Sequence, residues 1–135
     1  MFVVDNSVVM AWCFEDEASP YTERVLDQLR ETQALVPAVW PLEVANVLLM
    51  AERRDRLSEA QSAHFAQLLQ ALPIIVEDPD TTRILGPILA VGRAHRLSAY
   101  DAAYLELAAR QGLPIATQDG LLRKAAGNAG VTLLQ

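Results

Sequence analysis

Four carboxylates, Asp5, Glu43, Asp101 and Asp119, stand where acids can do more than solvate a surface. Asp5 follows the short run Phe2-Val3-Val4, and Asp119 follows Pro114-Ile115-Ala116 after a Thr117-Gln118 turn. Both are the ends of short apolar segments that read as strands, and in open parallel sheets ligands bind outside the carboxyl ends of the strands. Glu43 and Asp101 fall in the first turns of expected helices, the ends that face the same sheet edge when strands and helices alternate. Acids converging there would form a cluster of hard oxygen donors, the ligand type that suits magnesium or manganese. Ser7, Asn46 and Thr117 each lie within three residues of one of the acids, placed to orient it by hydrogen bonding.

Each acid also has a plainer role open to it. Asp5 and Asp119 are good N-caps for the helices that follow them. Asp101 stands three residues after Ser98, where a capping box puts its acid, and Ser7 and Thr117 can serve as ordinary turn residues. Glu43 is harder to set aside: it sits between Leu42 and Val44 in an apolar helix, where an unpartnered carboxylate facing the core would be costly. A metal removes that cost, and so does exposure on the outer face.

The elements that must position these residues can be read along the chain. Phe2 to Val4 is strand one, and Val8 to Phe14 a short buried helix. Ser19-Pro20 opens a helix to about Thr32. Ala34 to Val36 is a second strand. Pro41 opens a helix with apolar positions at Leu42, Ala45, Leu48 and Leu49. Ser58 to Gln61 has capping-box spacing before a helix that Pro73 stops. Ile74 to Val76 is the third strand. From Asp80 a helical stretch begins that Gly86-Pro87 must kink or split, and it finishes with Arg93 and Arg96 at its cation-favouring end. Ser98 caps a helix to Gln111, Gly112 closes it, and strand four follows at Pro114 to Ala116. A helix from Asp119 to Ala126 and a final strand at Val131 to Leu134 complete the chain. Short strands alternating with helices, without strict period-two patterning, describe an α/β protein whose parallel sheet of about four or five strands is covered on both faces.

A length of 135 residues with 52% hydrophobic content suits one domain over residues 1–135. The run before Asp5 is too short for a signal-peptide core, and no stretch approaches the ~18 apolar residues of a membrane span, so a cytoplasmic protein is expected. The lone Cys13 cannot form an internal disulfide. His64 and His95 lack partners at zinc-ligand spacing, and no phosphate-cradling glycine loop occurs. Trp12, Trp40, Tyr100 and Tyr104 lie in apolar surroundings and are expected in the core. A formal net charge of −6 argues against general affinity for polyanions, but setting the four acids aside as ligands brings it to −2. Lys124 is the only lysine, so the cations are almost all arginine, the side chain suited to bidentate phosphate contacts.

Taken in order, Asp5-Asn6-Ser7, Glu43-Val44-Ala45-Asn46, Ser98-Ala99-Tyr100-Asp101-Ala102-Ala103-Tyr104-Leu105 and Thr117-Gln118-Asp119 resemble the PIN-domain family, specifically the VapC-type toxins of prokaryotic toxin-antitoxin pairs. The likeness spans essentially the whole chain, with no departure at the acidic positions. It implies a three-layer α/β/α fold and a magnesium- or manganese-dependent endoribonuclease. It also implies a protein that is commonly dimeric and inhibited by a small antitoxin, one whose basic residue reaches the carboxylates and whose apolar segment lies on the early helices. On that reading Asp5, Asp101 and Asp119 contact metal most directly, and Glu43 ligates through water or positions the nucleophile. Such ions would lower the pKa of an attacking water and neutralise charge on the phosphoryl group. Arg93 and Arg96 of two subunits could flank one shared RNA groove. The cluster Arg53, Arg54 and Arg56 reads equally well as a solvated helix end.

Two other classes compete. A signalling receiver domain is also small, acidic and α/β, but needs an acidic pair after strand one, and here Asp5 stands alone. A PIN fold kept only as an interaction module would have no need of intact acids. A D-x-D phosphatase fails because Ser7 holds the second acidic position.

Overall fold

In the computed structural model, which describes residues 1–135, four short strands form one parallel sheet: β1 (Phe2–Val4), β2 (Ala34–Val36), β3 (Ile74–Val76) and β4 (Ile115–Ala116). Their order is β3-β2-β1-β4. Val3 lies opposite Leu35 on one side and Ile115 on the other, and Ala34 lies opposite Ile74. Every residue of β1 is buried, as a central parallel strand covered on both faces must be, whereas Ile75 and Val76 on the edge strand β3 are each 40% exposed. From β1 the chain runs outward to β2 and β3, then returns to the opposite side of β1 for β4. The order therefore reverses between β1 and β4, and ligands of open α/β sheets bind at such a reversal.

Eight helices flank this sheet in a three-layer α/β arrangement. They are α1 (Asn6–Ala11), α2 (Pro20–Gln28), α3 (Trp40–Arg53), α4 (Glu59–Ala71), α5 (Thr81–Arg83), α6 (Leu89–His95), α7 (Ala99–Gln111) and α8 (Gly120–Asn128). The boundaries follow local chemistry. Ser19 with Thr22 and Ser58 with Gln61 each close a capping box in both directions, and Gly112 ends α7 in the left-handed conformation at φ 65°. The break at Gly86-Pro87 takes the form of a π-helical segment, Ile84–Ile88, that absorbs the proline's missing N–H between α5 and α6. No helix is long and apolar enough to cross a membrane.

Four expectations are corrected. The helix after Ser19 ends at Gln28, and residues up to Thr32 form turns. Val131 to Leu134 is no strand: β4 is two residues long, which leaves edge for only a single bridge between Ile115 and Leu133. The buried stripe of α3 is Trp40, Val44, Leu48 and Ala51, while Leu42 is 73% exposed and Ala45 and Leu49 also face outward. A helix apolar at most positions offers two hydrophobic phases, and periodicity alone cannot choose between them. Tyr100 is 60% exposed rather than in the core, unlike Trp40 and Tyr104, which are buried.

Around α7 a second kind of order appears. Glu106, buried in this helix, accepts from Arg83 Nη1 at 3.0 Å and from Arg110 Nε at 2.9 Å. Arg110 also pairs with Glu77, just after β3. The network ties α5, α7 and the exit of the edge strand together.

Candidate functional site

The turn after β1 and the turn after β4 meet at the point of strand reversal. Asp5 caps α1 from an extended backbone and is only 4% exposed. Its Oδ1 accepts from the Ser7 backbone N at 3.0 Å and from Ser7 Oγ at 2.5 Å, and its Oδ2 accepts from Thr117 Oγ1 at 2.7 Å. The two hydroxyls reach onward to the other turn. Ser7 Oγ accepts from the Gln118 N–H at 3.0 Å, and Thr117 Oγ1 accepts from the Asp119 N–H at 3.0 Å. Arg123 donates to the Thr117 carbonyl at 2.8 Å. The plain capping roles are thus real for Asp5 and Asp119, yet they leave acceptor capacity over: Asp119 Oδ2 caps Leu122 at 3.2 Å, and Oδ1 has no hydrogen-bond partner.

The first turns of α3 and α7 bring the remaining two acids. At Asp101 the capping box is only half made. Its N–H donates to Ser98 Oγ at 3.2 Å, but its carboxylate returns no bond to the Ser98 N–H, unlike the closed boxes of α2 and α4. Glu43 is half-buried, and its Oε1 accepts from Tyr104 Oη at 2.6 Å. Tyr104 and Asp101 are three residues apart on one face of α7, so the helix that presents one acid also holds the other.

The electrostatics show how these acids sense one another. Burial pushes the Glu43 carboxyl above the ordinary glutamate range; the Tyr104 hydrogen bond opposes this, and the charges of Asp101 and Asp5 add to it. Asp101 is raised by burial and then by Asp119. Asp5 is raised by burial against the pull of its Ser7 and Thr117 bonds. Tyr104 is held firmly protonated by burial and by the neighbouring Glu43, which keeps it a donor. None of the protein's ion pairs includes any of the four acids. Carboxylates that repel one another and have no arginine or lysine partner make a site whose missing component is positive charge.

No three His, Cys, Asp or Glu side chains stand close enough together to hold a metal ion as they are placed. An open, all-oxygen set nevertheless fits magnesium, which keeps several waters and takes one or two carboxylates, better than it fits zinc. A groove of about 520 Å³ leads away from Glu43 along α3, lined among others by Asn6, Leu42, Asn46, Leu49 and Tyr100.

Asn46 lines this groove but makes no hydrogen bond to Glu43; the donor that orients Glu43 is Tyr104, expected only as a core residue. Its hydroxyl was the available signal, since a buried tyrosine usually finds a partner for its O–H. Asn6, the first residue of α1, has a buried Oδ1 with no partner and lines the groove beside Glu43. Arg93 and Arg96 are exposed, form no ion pair, and sit at the end of α6, with Arg96 in the left-handed region at φ 54°.

The PIN domain family matches this chain over residues 2–128. Ribonuclease VapC3 of Pyrobaculum aerophilum is 31% identical over 117 residues, covering 87% of this chain and 88% of that protein. Among solved structures, PAE2754 from Pyrobaculum aerophilum superposes with a TM-score of 0.70 at 23% identity, covering 92% of this chain and 78% of that one. FitAcB from Neisseria gonorrhoeae gives a TM-score of 0.65 at 17% identity over 100% of this chain and 97% of that one. VapBC2 from Rickettsia felis, solved bound to a DNA fragment from its promoter, gives 0.70 at 8% identity over 98% and 96%. At these identities the solved structures speak for the fold.

Proposed function

This chain belongs to the PIN-domain family, and from that premise we propose that it is a divalent-metal-dependent endoribonuclease, the toxin of a toxin-antitoxin pair, acting as one nuclease domain over residues 1–135. The observation that carries the reading is the set of mutually repelling carboxylates without a cation partner at the reversal of the sheet. Likeness to a named ribonuclease over 87% of the chain supports the same reaction class.

Asp5, Asp101 and Asp119 would hold magnesium or manganese, with Glu43 beside them. Bound there, the ion would supply Lewis acidity at the phosphate and an acidified water for in-line attack on phosphorus. The chain's own contribution is orientation. Ser7 and Thr117 fix both oxygens of Asp5, and their second bonds lock the two turns together, so that Asp5 and Asp119 move as one unit. Tyr104 fixes Glu43 by donating to one oxygen and leaves the other for a ligand or a water. No covalent protein intermediate is needed.

The partner of this reading is a small antitoxin whose basic residue supplies the missing positive charge and whose apolar segment covers the early helices. The exposed Leu42 and Leu49 along the groove suit such a segment. A cytoplasmic homodimer, with Arg93 and Arg96 of each subunit flanking the RNA, completes the proposal. The test is incubation of the purified chain with RNA in magnesium or manganese, against a chelated control and Asp5→Asn. Metal-dependent cleavage that this variant loses supports the reading; cleavage that persists without metal, or in Asp5→Asn at the parent rate, refutes it.

A further inference from the structure

Beside the Glu43 groove lies a smaller cavity of about 250 Å³, walled in part by Pro37 and Ala38 after β2, Asp78 after β3, Ile84 and Ile88 of the π segment, and Tyr100. Tyr100 lines both hollows, so its exposed ring stands between them, one residue before Asp101. The cavity lies below the roughly 300–1,000 Å³ of pockets that take drug-sized ligands, which leaves room for one planar base.

The polar groups at its rim are nearly all spoken for. Glu77 is paired with Arg110, Arg83 is paired with Glu106, and Asp80 caps α5 by accepting the Arg83 N–H at 3.1 Å. Asp78 is exposed and has neither a hydrogen bond nor an ion pair. The cavity thus offers apolar walls, an aromatic face and one free carboxylate, an acceptor with two oxygens. Asp78 and Asp80 at its rim have no cationic partner and make it unwelcoming to a phosphate, so it suits the base of a nucleotide better than the backbone. Among RNA bases the edge that complements a carboxylate is guanine's, whose N1–H and N2–H point the same way. Adenine and cytosine set a donor beside an acceptor, and uracil sets one N–H between two carbonyls.

We infer that this cavity binds the base next to the scissile phosphate, that the base is guanine, and that it is stacked against Tyr100 and read by Asp78. Single-stranded RNA is commonly recognised in this way, with splayed bases stacked on aromatic side chains and hydrogen-bonded along their edges. The inference rests on the ribonuclease reading given above and adds a substrate preference to it.

The test is cleavage of short single-stranded oligoribonucleotides that differ only in the bases flanking the cut, with inosine included because it lacks the N2 amino group. Expected is a preference for guanine at one flanking position of at least about tenfold in kcat/KM over adenine, with inosine in between. Tyr100→Ala is expected to lower kcat/KM on the guanine substrate roughly ten- to a hundredfold, with Tyr100→Phe close to the parent. Asp78→Asn is expected to lower kcat/KM on the guanine substrate to that on adenine, abolishing the preference. A parent without base preference, or a guanine preference that survives both Tyr100→Ala and Asp78→Asn, overturns the inference and leaves the ribonuclease reading standing. A parent that cuts none of the oligonucleotides with magnesium or manganese overturns the ribonuclease reading, and this inference with it.

Discussion

Two groups of carboxylates lie against helix α7 and are treated in opposite ways. Glu106, with Glu77 nearby, is matched by Arg83 and Arg110, so each buried oxygen has a cationic donor. Asp5, Glu43 and Asp119 accept from hydroxyls and backbone N–H groups only, and the Asp101 carboxylate beside them accepts from no protein donor. The first arrangement neutralises charge as well as hydrogen-bonding it; the second leaves both charge and acceptor capacity over. The difference separates two uses of an acid: a compensated carboxylate holds helices together, whereas an uncompensated cluster stores a demand for a cation that something outside the chain must meet.

Substitutions in the two groups should therefore fail differently. The largest effect is expected from Asp101→Asn or Asp5→Asn, which should lower metal-dependent RNA cleavage by more than about a hundredfold while thermal unfolding stays cooperative, since relieving repulsion does not undermine the fold. Either variant melting well below the parent would show that the acidic group is structural after all. Glu106→Ala should do the reverse. It leaves Arg83 and Arg110 without their shared partner and should cost on the order of 2–4 kcal/mol in denaturant unfolding, discounted because both arginines are partly exposed, with cleavage per folded molecule unchanged. Tyr104→Phe sharpens the contrast. It removes one donor from Glu43 and should cost about 1–2 kcal/mol of stability, with a drop in kcat larger than any rise in KM. The smallest effect is expected for Arg96→Ala: RNA binding weakened by a few-fold, with a salt dependence shallower by about one ion, and metal binding unchanged.

Much of this contrast could be read from sequence, and the part that could not has a common cause. The places of the four acids in the fold were legible because strand ends and first helical turns are local features, marked by Val4-Asp5-Asn6-Ser7 or by Ser98 three residues before Asp101. The caps at Ser19 and Ser58 and the closure at Gly112 are local in the same sense. What escaped was set by packing between distant segments. Tyr104 meets Glu43 across 61 positions, and Arg83 meets Glu106 across 23. Asn46 has the right spacing from Glu43, but no hydrogen bond joins them, and nothing local distinguishes the buried Tyr104 from the exposed Tyr100. The strand expected at Val131 to Leu134 failed for a related reason, since a strand needs a neighbour long enough to pair with, and β4 is not.

The most direct test of the cation demand is the melting temperature of the metal-free protein against pH, repeated with manganese. Burial, with mutual repulsion at Glu43 and Asp101, lifts the carboxyls of Asp5, Glu43 and Asp101 above their ordinary values. Between those ordinary values, about 4, and the raised folded ones, the folded protein holds more protons than the unfolded chain. The stability these groups contribute is therefore present in full at low pH and is lost as pH rises through the raised values. Manganese favours the ionised form and should return what was lost. The expected result is a gap between the curves with and without metal that is small in acid, widens towards neutral pH and closes in Asp101→Asn. A melting temperature that manganese leaves unmoved at neutral pH, or raises equally in Asp101→Asn, would contradict a cation site built on these carboxylates.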